Sequence, residues 1–312
     1  MLSKDFLTYE ELDKRDVDVL LAKTADMKDK LKKGYRDQPL SGKSVALVFD
    51  KPSTRTRISF EVGLFQLGAH AVVLYGQDMQ LGRGETIEDT GRVISRYCDA
   101  IVIRTFEQEK LEKLAAAATV PVVNALTNQH HPCQALADMF TIFEKKKTLA
   151  GLKLAYLGDG NNVLNSLMIA AATSGMNITA ACPKAFSANA KMVKTAKEIA
   201  IDTGSTVAVT EDPMVAAKQA DILYTDVWVS MGDEAERGKR MDALRPYRID
   251  EEVMSVAKVD ALVMHCLPAH RGEEIDAGIL DGPNSVVFDQ AENRLHAQKA
   301  LMNALIGKGG WR

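Results

Sequence analysis

A chain of 312 residues with 46% apolar and 26% charged residues has an ordinary globular composition, which excludes disorder as its dominant state. A formal net charge of −3 offers no basic stripe of the kind that grips nucleic acid. No apolar run nears the roughly 20 residues of a membrane span, and the opening MLSKDFLTYEEL lacks the apolar centre of a secretory leader; small-molecule partners are expected, with no nucleic acid and no membrane.

At about 100 to 200 residues per domain, the length fits two domains. The first predicted element is a surface helix ending near Gly34. Thr8 and Glu11 stand at capping-box spacing, and Val17, Leu20, Leu21, Thr24 and Leu31 recur at helical intervals. Short Val- and Ile-rich runs follow, VALVF at 45, AVVLY at 71, AIVIR at 100 and PVVNA at 121. Helix-like stretches near 54–67, 87–97 and 107–118 separate them. Near-continuous apolar strands alternating with helices predict a parallel sheet covered on both faces. A helical segment over about 132–147 leads into a second series: KLAYLG at 153, NITAAC at 177, TVAVT at 206, DILYT at 221, DALVMHC at 260 and SVVFD at 285. The expected fold is α/β, two tandem doubly wound parallel-sheet domains of similar size, 1–147 and 148–312. The C-terminal helix, about 291–306, is expected to pack back on the first. Cys98, Cys133, Cys182 and Cys266 form no C-x-x-C pair, which fits free thiols in a reducing cytoplasm.

Open α/β sheets bind ligands beyond the carboxyl ends of their strands, so functional residues are expected just after strands. In FDKPSTRTRISFEVG, the strand ends at Phe49, Ser53 or Thr54 can cap a helix, and Ile58, Val62 and Phe65 would form its apolar face. Free N–H groups, the positive dipole end, Arg55 and Arg57 then make an anion site, most naturally for phosphate. The plainer alternative is a cap with solvated arginines, but cations at a helix start oppose the dipole and call for an anion. The P-loop pattern is absent. Arg104 directly follows AIVI, and His131 follows PVVNA within NQHHPCQ. His131 is either an ordinary helix-start histidine or a donor to a substrate oxygen beside the phosphate.

In LAYLGDGNNVLNSL, Gly158 and Gly160 invite a dinucleotide reading, but the third glycine is missing and the next strand ends at Cys182 without an acidic residue. Asn162 is either a helix cap or a carboxylate holder. The segment DVWVSMGDEAERGKR is long for a connection, as mobile loops are, and its Asp226 suits an ammonium group or a surface cap. In LVMHCLPAHRG, Cys266 is either inert core or a reactive thiol paired with His270, for which no signature exists. His130, His131, Cys133 and Cys266 lack metal-ligand spacing. Neither a metal nor a cofactor is expected.

Taken together, STRTR, HPCQ, DVWVSMGDE and HCLPAHRG resemble the aspartate and ornithine carbamoyltransferase family, in the right order over almost the whole chain. STRTR and HPCQ resemble its carbamoyl phosphate motifs, SMG and HCLP those of its ornithine branch. The resemblance implies carbamoyl transfer from carbamoyl phosphate to L-ornithine, giving citrulline in arginine biosynthesis. It implies that Ser53, Thr54, Arg55 and Thr56 hold the phosphate, that Arg104, His131, Pro132, Cys133 and Gln134 engage the carbamoyl end, and that Cys266, Leu267 and Arg294 complete the pocket. Asn162, Asp226, Ser230 and Met231 would receive the amino-acid end of ornithine. Among these, Arg55, Arg104, His131 and Cys266 are the catalytic candidates. A cis Leu267–Pro268 peptide is implied too. MQLGRGETIEDT resembles the loop that places Gln80 in a neighbouring subunit's site, implying a homotrimer or a multiple of trimers.

Overall fold

A computed structural model of the chain describes residues 3–79, 84–229 and 234–308. The chain divides into two compact units, Met1–Phe140 with Glu292–Arg312, and Thr141–Ala291.

The first unit begins with helix α1 (Lys14–Lys32) and continues as β1 (Ser44–Phe49), α2 (Thr54–Gln66), β2 (His70–Tyr75), α3 (Ile87–Tyr97), β3 (Ala100–Arg104), α4 (Gln108–Ala117), β4 (Val122–Leu126) and α5 (Pro132–Lys146). Its four strands are parallel in the order β2-β1-β3-β4. Residues of both faces are buried along β1 and β3, as an unbroken apolar run requires; on one face Ala46, Val48, Ile101 and Ile103 pack on Leu111, Leu114 and Ala115 of α4. The chain order reverses between β1 and β3, which opens the crevice where ligands sit in such sheets.

Two expectations fail here. α1 starts at Lys14, not at Thr8, because Asp13 and Asp16 form the capping box; Thr8 precedes a single 3-10 turn, Tyr9–Glu11, and makes no side-chain cap. The apolar face of α2 is also inverted. Ile58, Val62 and Phe65 are 54%, 39% and 69% exposed, while Thr56, Ser59, Phe60, Gly63 and Leu64 are buried. The cause is helix α12 (Val287–Ile306), whose Gln298 donates to Ser59 Oγ at 2.8 Å and whose Lys299 donates to Gln66 Oε1 at 2.8 Å. A Cβ at Gly63 would stand 3.2 Å from Lys299 Cγ and 3.4 Å from Leu295 Cδ1, so the glycine permits this approach. The unit boundary falls inside α5 and inside α12.

The second unit contains β5 (Lys153–Leu157), α6 (Asn162–Thr173), β6 (Asn177–Ala181), α7 (Ala190–Thr203), β7 (Val207–Thr210), α8 (Pro213–Ala217), β8 (Ile222–Thr225), α9 (Arg237–Leu244), α10 (Glu251–Val256), β9 (Leu262–His265) and α11 (Ala277–Leu280). Five parallel strands run β7-β6-β5-β8-β9, reversing between β5 and β8. SVVFD is not a sixth strand. Ser285 makes one bridge to Val263, and Val287 already starts α12. The α/β class with parallel sheets is as expected. No described helix is long and apolar enough to cross a membrane.

Candidate active site

In the first unit, the ends of β1, β3 and β4 converge because these strands are neighbours. Phe49 pairs with Arg104, and Arg104 with Leu126. The Asp50 amide donates to the Arg104 carbonyl at 2.9 Å, and the Asp50 carboxylate accepts from Thr105 Oγ1 and Lys110 Nζ, both at 2.6 Å. That pinned turn aims the chain into α2. Ser53 is its N-cap, accepting from the Thr56 amide at 3.3 Å. Thr54 and Arg55 stand exposed at the helix start, whose first amides have no acceptor inside the helix. Arg57 adds less than its sequence suggests, since its guanidinium is taken by Glu61 at 2.9 Å and by the Tyr75 hydroxyl.

Behind this rim lies a buried polar layer. Arg294, 4% exposed, donates from Nη1 to Gln134 Oε1 at 2.6 Å, from Nη2 to Thr56 Oγ1 at 3.4 Å and from Nε to Gln298 Oε1 at 3.0 Å. Gln134 passes its amide to Asp138 at 2.8 Å. Pro132 opens α5, where the missing N–H costs nothing, directly after buried His131. Cys133 is buried with its thiol on the Asn124 carbonyl at 3.3 Å, and burial pushes it up to about 12, so it is no nucleophile.

Burial holds His131 well below its usual 6.5, and the positive fields of Arg294, Arg104 and Arg55 lower it further. The imidazole is therefore neutral at physiological pH, an N–H donor in a field of cations. Because the unfolded chain takes up this proton near 6.5 and the folded one does not, stability should fall on acidification below 6.5. Urea unfolding between pH 7.5 and 5.5 tests it. His131→Asn should remove up to about 1.4 kcal/mol per pH unit of that slope. An unchanged slope would contradict the assignment. The comparison must be with the variant, since buried His296 is also depressed and adds to the slope, whereas Glu11, raised by burial to about 7, opposes it.

The second unit carries its own constellation at the ends of β5, β8 and β9. Asp226, 5% exposed, accepts from Asn161 Nδ2 at 2.7 Å on one oxygen and from Cys266 Sγ at 2.9 Å on the other. Asn161, not Asn162, caps α6: its Oδ1 accepts from the amides of Val163 and Leu164 at 3.0 and 3.1 Å. Asn162 is the first helical residue, half-buried. Sequence reasoning missed Asn161, although the Asn-Asn doublet before an apolar run was the available signal. The glycines of this turn have structural uses. Gly158 has φ of 140°, and a Cβ on Gly160 would collide with the Ser187 carbonyl. Asp159 is paired with Arg240 at 2.9 Å.

Cys266 and Leu267 are half-buried at the end of β9, and the Leu267–Pro268 peptide is cis. His270 is exposed, and its ring lies 3.7 Å from the Glu274 carboxylate. A carboxylate oxygen 2.9 Å from Sγ matches a thiol rather than a thiolate, since two anions at that distance repel. Asp226, His265 and Cys266 hold their donor atoms within 4.8 Å of one another, as do His270, Glu273 and Glu274. In the first group, Asp226 is already hydrogen-bonded to Asn161 and Cys266, and His265 to the Leu267 amide and Glu274. In the second, Glu273 is engaged by Arg237 at 2.5 Å. Gln80, Ser230 and Met231 lie outside the described residues.

Two family models match the chain end to end. That of the aspartate/ornithine carbamoyltransferase carbamoyl-P binding domain matches residues 4–144, and that of the Asp/Orn binding domain matches 150–305. The chain is 54% identical over 303 residues to an ornithine carbamoyltransferase of Anoxybacillus flavithermus, covering 97% of this chain and 96% of that protein. It is 53% identical over 303 residues to that of Geobacillus stearothermophilus, covering 97% of each. The structure of ornithine carbamoyltransferase from Pyrococcus furiosus superposes with a TM-score of 0.95 at 47% identity, over 100% of this chain and 99% of that one.

Proposed function

The chain belongs to the aspartate/ornithine carbamoyltransferase family, and from this we infer that it transfers the carbamoyl group of carbamoyl phosphate to the δ-amine of L-ornithine, giving L-citrulline and phosphate. The observation that carries this reading is the cationic cluster of the first unit, where Arg55 lies in the first turn of α2, Arg104 at the strand end beside it, and Arg294 donates to Thr56 of the same turn. Three guanidinium groups converging on a helix start call for a dianion.

The phosphate sits at the opening turn of α2, on Ser53, Thr54, Arg55 and Thr56. Gln134, Arg104 and His131 take the carbamoyl end, with Pro132 and Cys133 shaping the turn that presents them. Arg294 acts behind them by fixing Gln134 and Thr56. Asp226 answers the α-ammonium of ornithine, Asn162 its carboxylate, and Ser230 and Met231 join from the neighbouring loop. Cys266 and Leu267 border the δ-amine, and Gln80 is contributed by a neighbouring subunit.

An amine with a free pKa near that of lysine, about 10.4, must first shed its proton. The neutral δ-nitrogen attacks the carbamoyl carbon, and negative charge gathers on the carbonyl oxygen. Arg104, the His131 N–H and Thr56 stabilise it. The C–O bond to phosphate then breaks, the pair stays on the phosphate, and the second N–H proton leaves with it as hydrogen phosphate. Cys266, a thiol bonded to Asp226, orients the amine and forms no covalent intermediate.

Citrulline formation should be fast with ornithine and weak with putrescine, acetylornithine or aspartate. Aspartate would need a cation for its second carboxylate, where this chain offers Asp226. Preference for any of the other three would overturn the ornithine assignment. Phosphate-ligand affinity without citrulline formation would mark a binding protein instead.

The homo-oligomer is a trimer or a multiple of trimers, and the reaction serves arginine biosynthesis in the cytoplasm. The exposed apolar row Ile58, Val62 and Phe65 on α2 supports a protein–protein surface, and four free cysteines support a reducing compartment. Sedimentation should give a trimer or multiple for the natural chain and smaller species for Phe65→Asp. An unchanged mass in the variant would remove α2 from the interface.

A further inference from the structure

Glu274 is fully buried in the second unit, and a buried carboxyl group is costly unless it is used. Its Oε1 accepts two hydrogen bonds, from His265 Nε2 at 3.0 Å and from the His270 amide at 2.5 Å. Its Oε2 is buried with no hydrogen-bond partner among the described residues. An apolar side chain would fill this space at lower cost, so a packing role alone does not account for the residue.

His265, also fully buried, is the last residue of β9. Its Nδ1 lies 2.9 Å from the Leu267 amide. A backbone N–H can only donate, so Nδ1 must be the bare nitrogen and Nε2 must carry the proton. That is the one tautomer that can also donate to Glu274. The Leu267 amide so held belongs to a residue with φ of 59°, a left-handed conformation that a leucine adopts only under constraint. The His265 amide is fixed in turn by Gln290 Oε1 at 2.9 Å. Both ends of the short path from β9 through Cys266 to Leu267 are therefore anchored on one imidazole residue.

We propose that Glu274 is a positioning residue: it fixes the His265 tautomer whose Nδ1 receives the Leu267 amide, and thereby sets the Cys266–Leu267 turn that borders the amine substrate. With the other tautomer, two N–H groups would face each other and the turn would relax. The inference rests on the ornithine reading of this unit, but the tautomer itself does not.

The test uses the full-length protein in its natural assembly, labelled with 15N-histidine, of which the chain has six. Magic-angle-spinning 15N spectra should show His265, identified by the signal lost in His265→Asn, protonated on Nε2 alone. Glu274→Gln retains an oxygen that can accept both bonds, so it should keep that tautomer and most turnover. Glu274→Leu removes the acceptor at similar volume. It should lose the single tautomer and lower turnover with ornithine on the order of tenfold to a hundredfold, with binding of a carbamoyl phosphate analogue changed less than about twofold. A natural His265 protonated on Nδ1 would overturn the proposal, and so would Glu274→Leu with unchanged tautomer and turnover. Should Glu274→Leu not fold, loss of the tautomer in Glu274→Gln would do the same. Failure of the ornithine reading would appear separately, as absent citrulline formation by the natural chain.

Discussion

Arg104→Ala and Arg55→Ala should each lose most turnover while the fold survives. Arg104 ends β3 between Phe49 and Leu126, half-buried, and its charge reaches His131. In the proposed mechanism it meets the negative charge that grows on the carbonyl oxygen, where one donor is worth roughly 3 to 4 kcal/mol, a fall of about 10² to 10³ in rate. Arg55 is exposed at the start of α2, so its loss opens no cavity. A cation there opposes the helix dipole, and the thermal midpoint of Arg55→Ala should stay level or rise slightly. Activity and stability thus move in opposite directions, which separates a binding arginine from a structural one. Near-normal rates in either variant would remove that residue from the site.

The second large effect is expected from Asp226→Asn. Both carboxylate oxygens accept hydrogen bonds, one at 2.7 Å from Asn161 Nδ2, which can only donate, and the other at 2.9 Å from the Cys266 thiol. An asparagine turns one acceptor into an NH2 group facing a donor, and it removes the charge proposed to receive the α-ammonium. Leaving a buried donor unsatisfied should cost about 1 to 3 kcal/mol of stability. Steady-state kinetics should show kcat/KM for ornithine falling roughly a hundredfold, equivalent to about 2.7 kcal/mol. Binding of carbamoyl phosphate to the free protein should be preserved, since Ser53 to Thr56, Arg104 and His131 are untouched. A loss confined to carbamoyl phosphate affinity would reverse the roles given to the two constellations.

Much of this layout is legible in the amino-acid order because parallel strands buried on both faces read as unbroken apolar runs. VALVF, AIVIR and KLAYL declare themselves without reference to distant residues. So does the placement of Ser53, Arg104, His131, Asp226 and Cys266, which needs only the rule that ligands gather after strand ends. What escapes is non-local. The buried face of α2 is set by α12, more than 230 residues away, and a row of Thr56, Ser59 and Gly63 gives no apolar signal of its own. SVVFD has the composition of a strand, yet Val287 begins a helix that continues for 20 residues. The expected start of α1 is too early: Thr8 and Glu11 have one capping spacing, and Asp13 and Asp16, which form the box, have another. Only the second lies next to the helical periodicity. Glu274 is indistinguishable in sequence from its half-buried neighbour Glu273. Its role emerges only from the distance to His265.

The account depends on the start of α2 being a dianion site. Crystals grown with a bisubstrate mimic that joins a phosphonate to ornithine test this directly. The phosphonate oxygens should lie within hydrogen-bond distance of the backbone amides and side chains of residues 53–56 and of the Arg104 guanidinium. Phosphonate density elsewhere, with nothing bound beside Thr54, would contradict it.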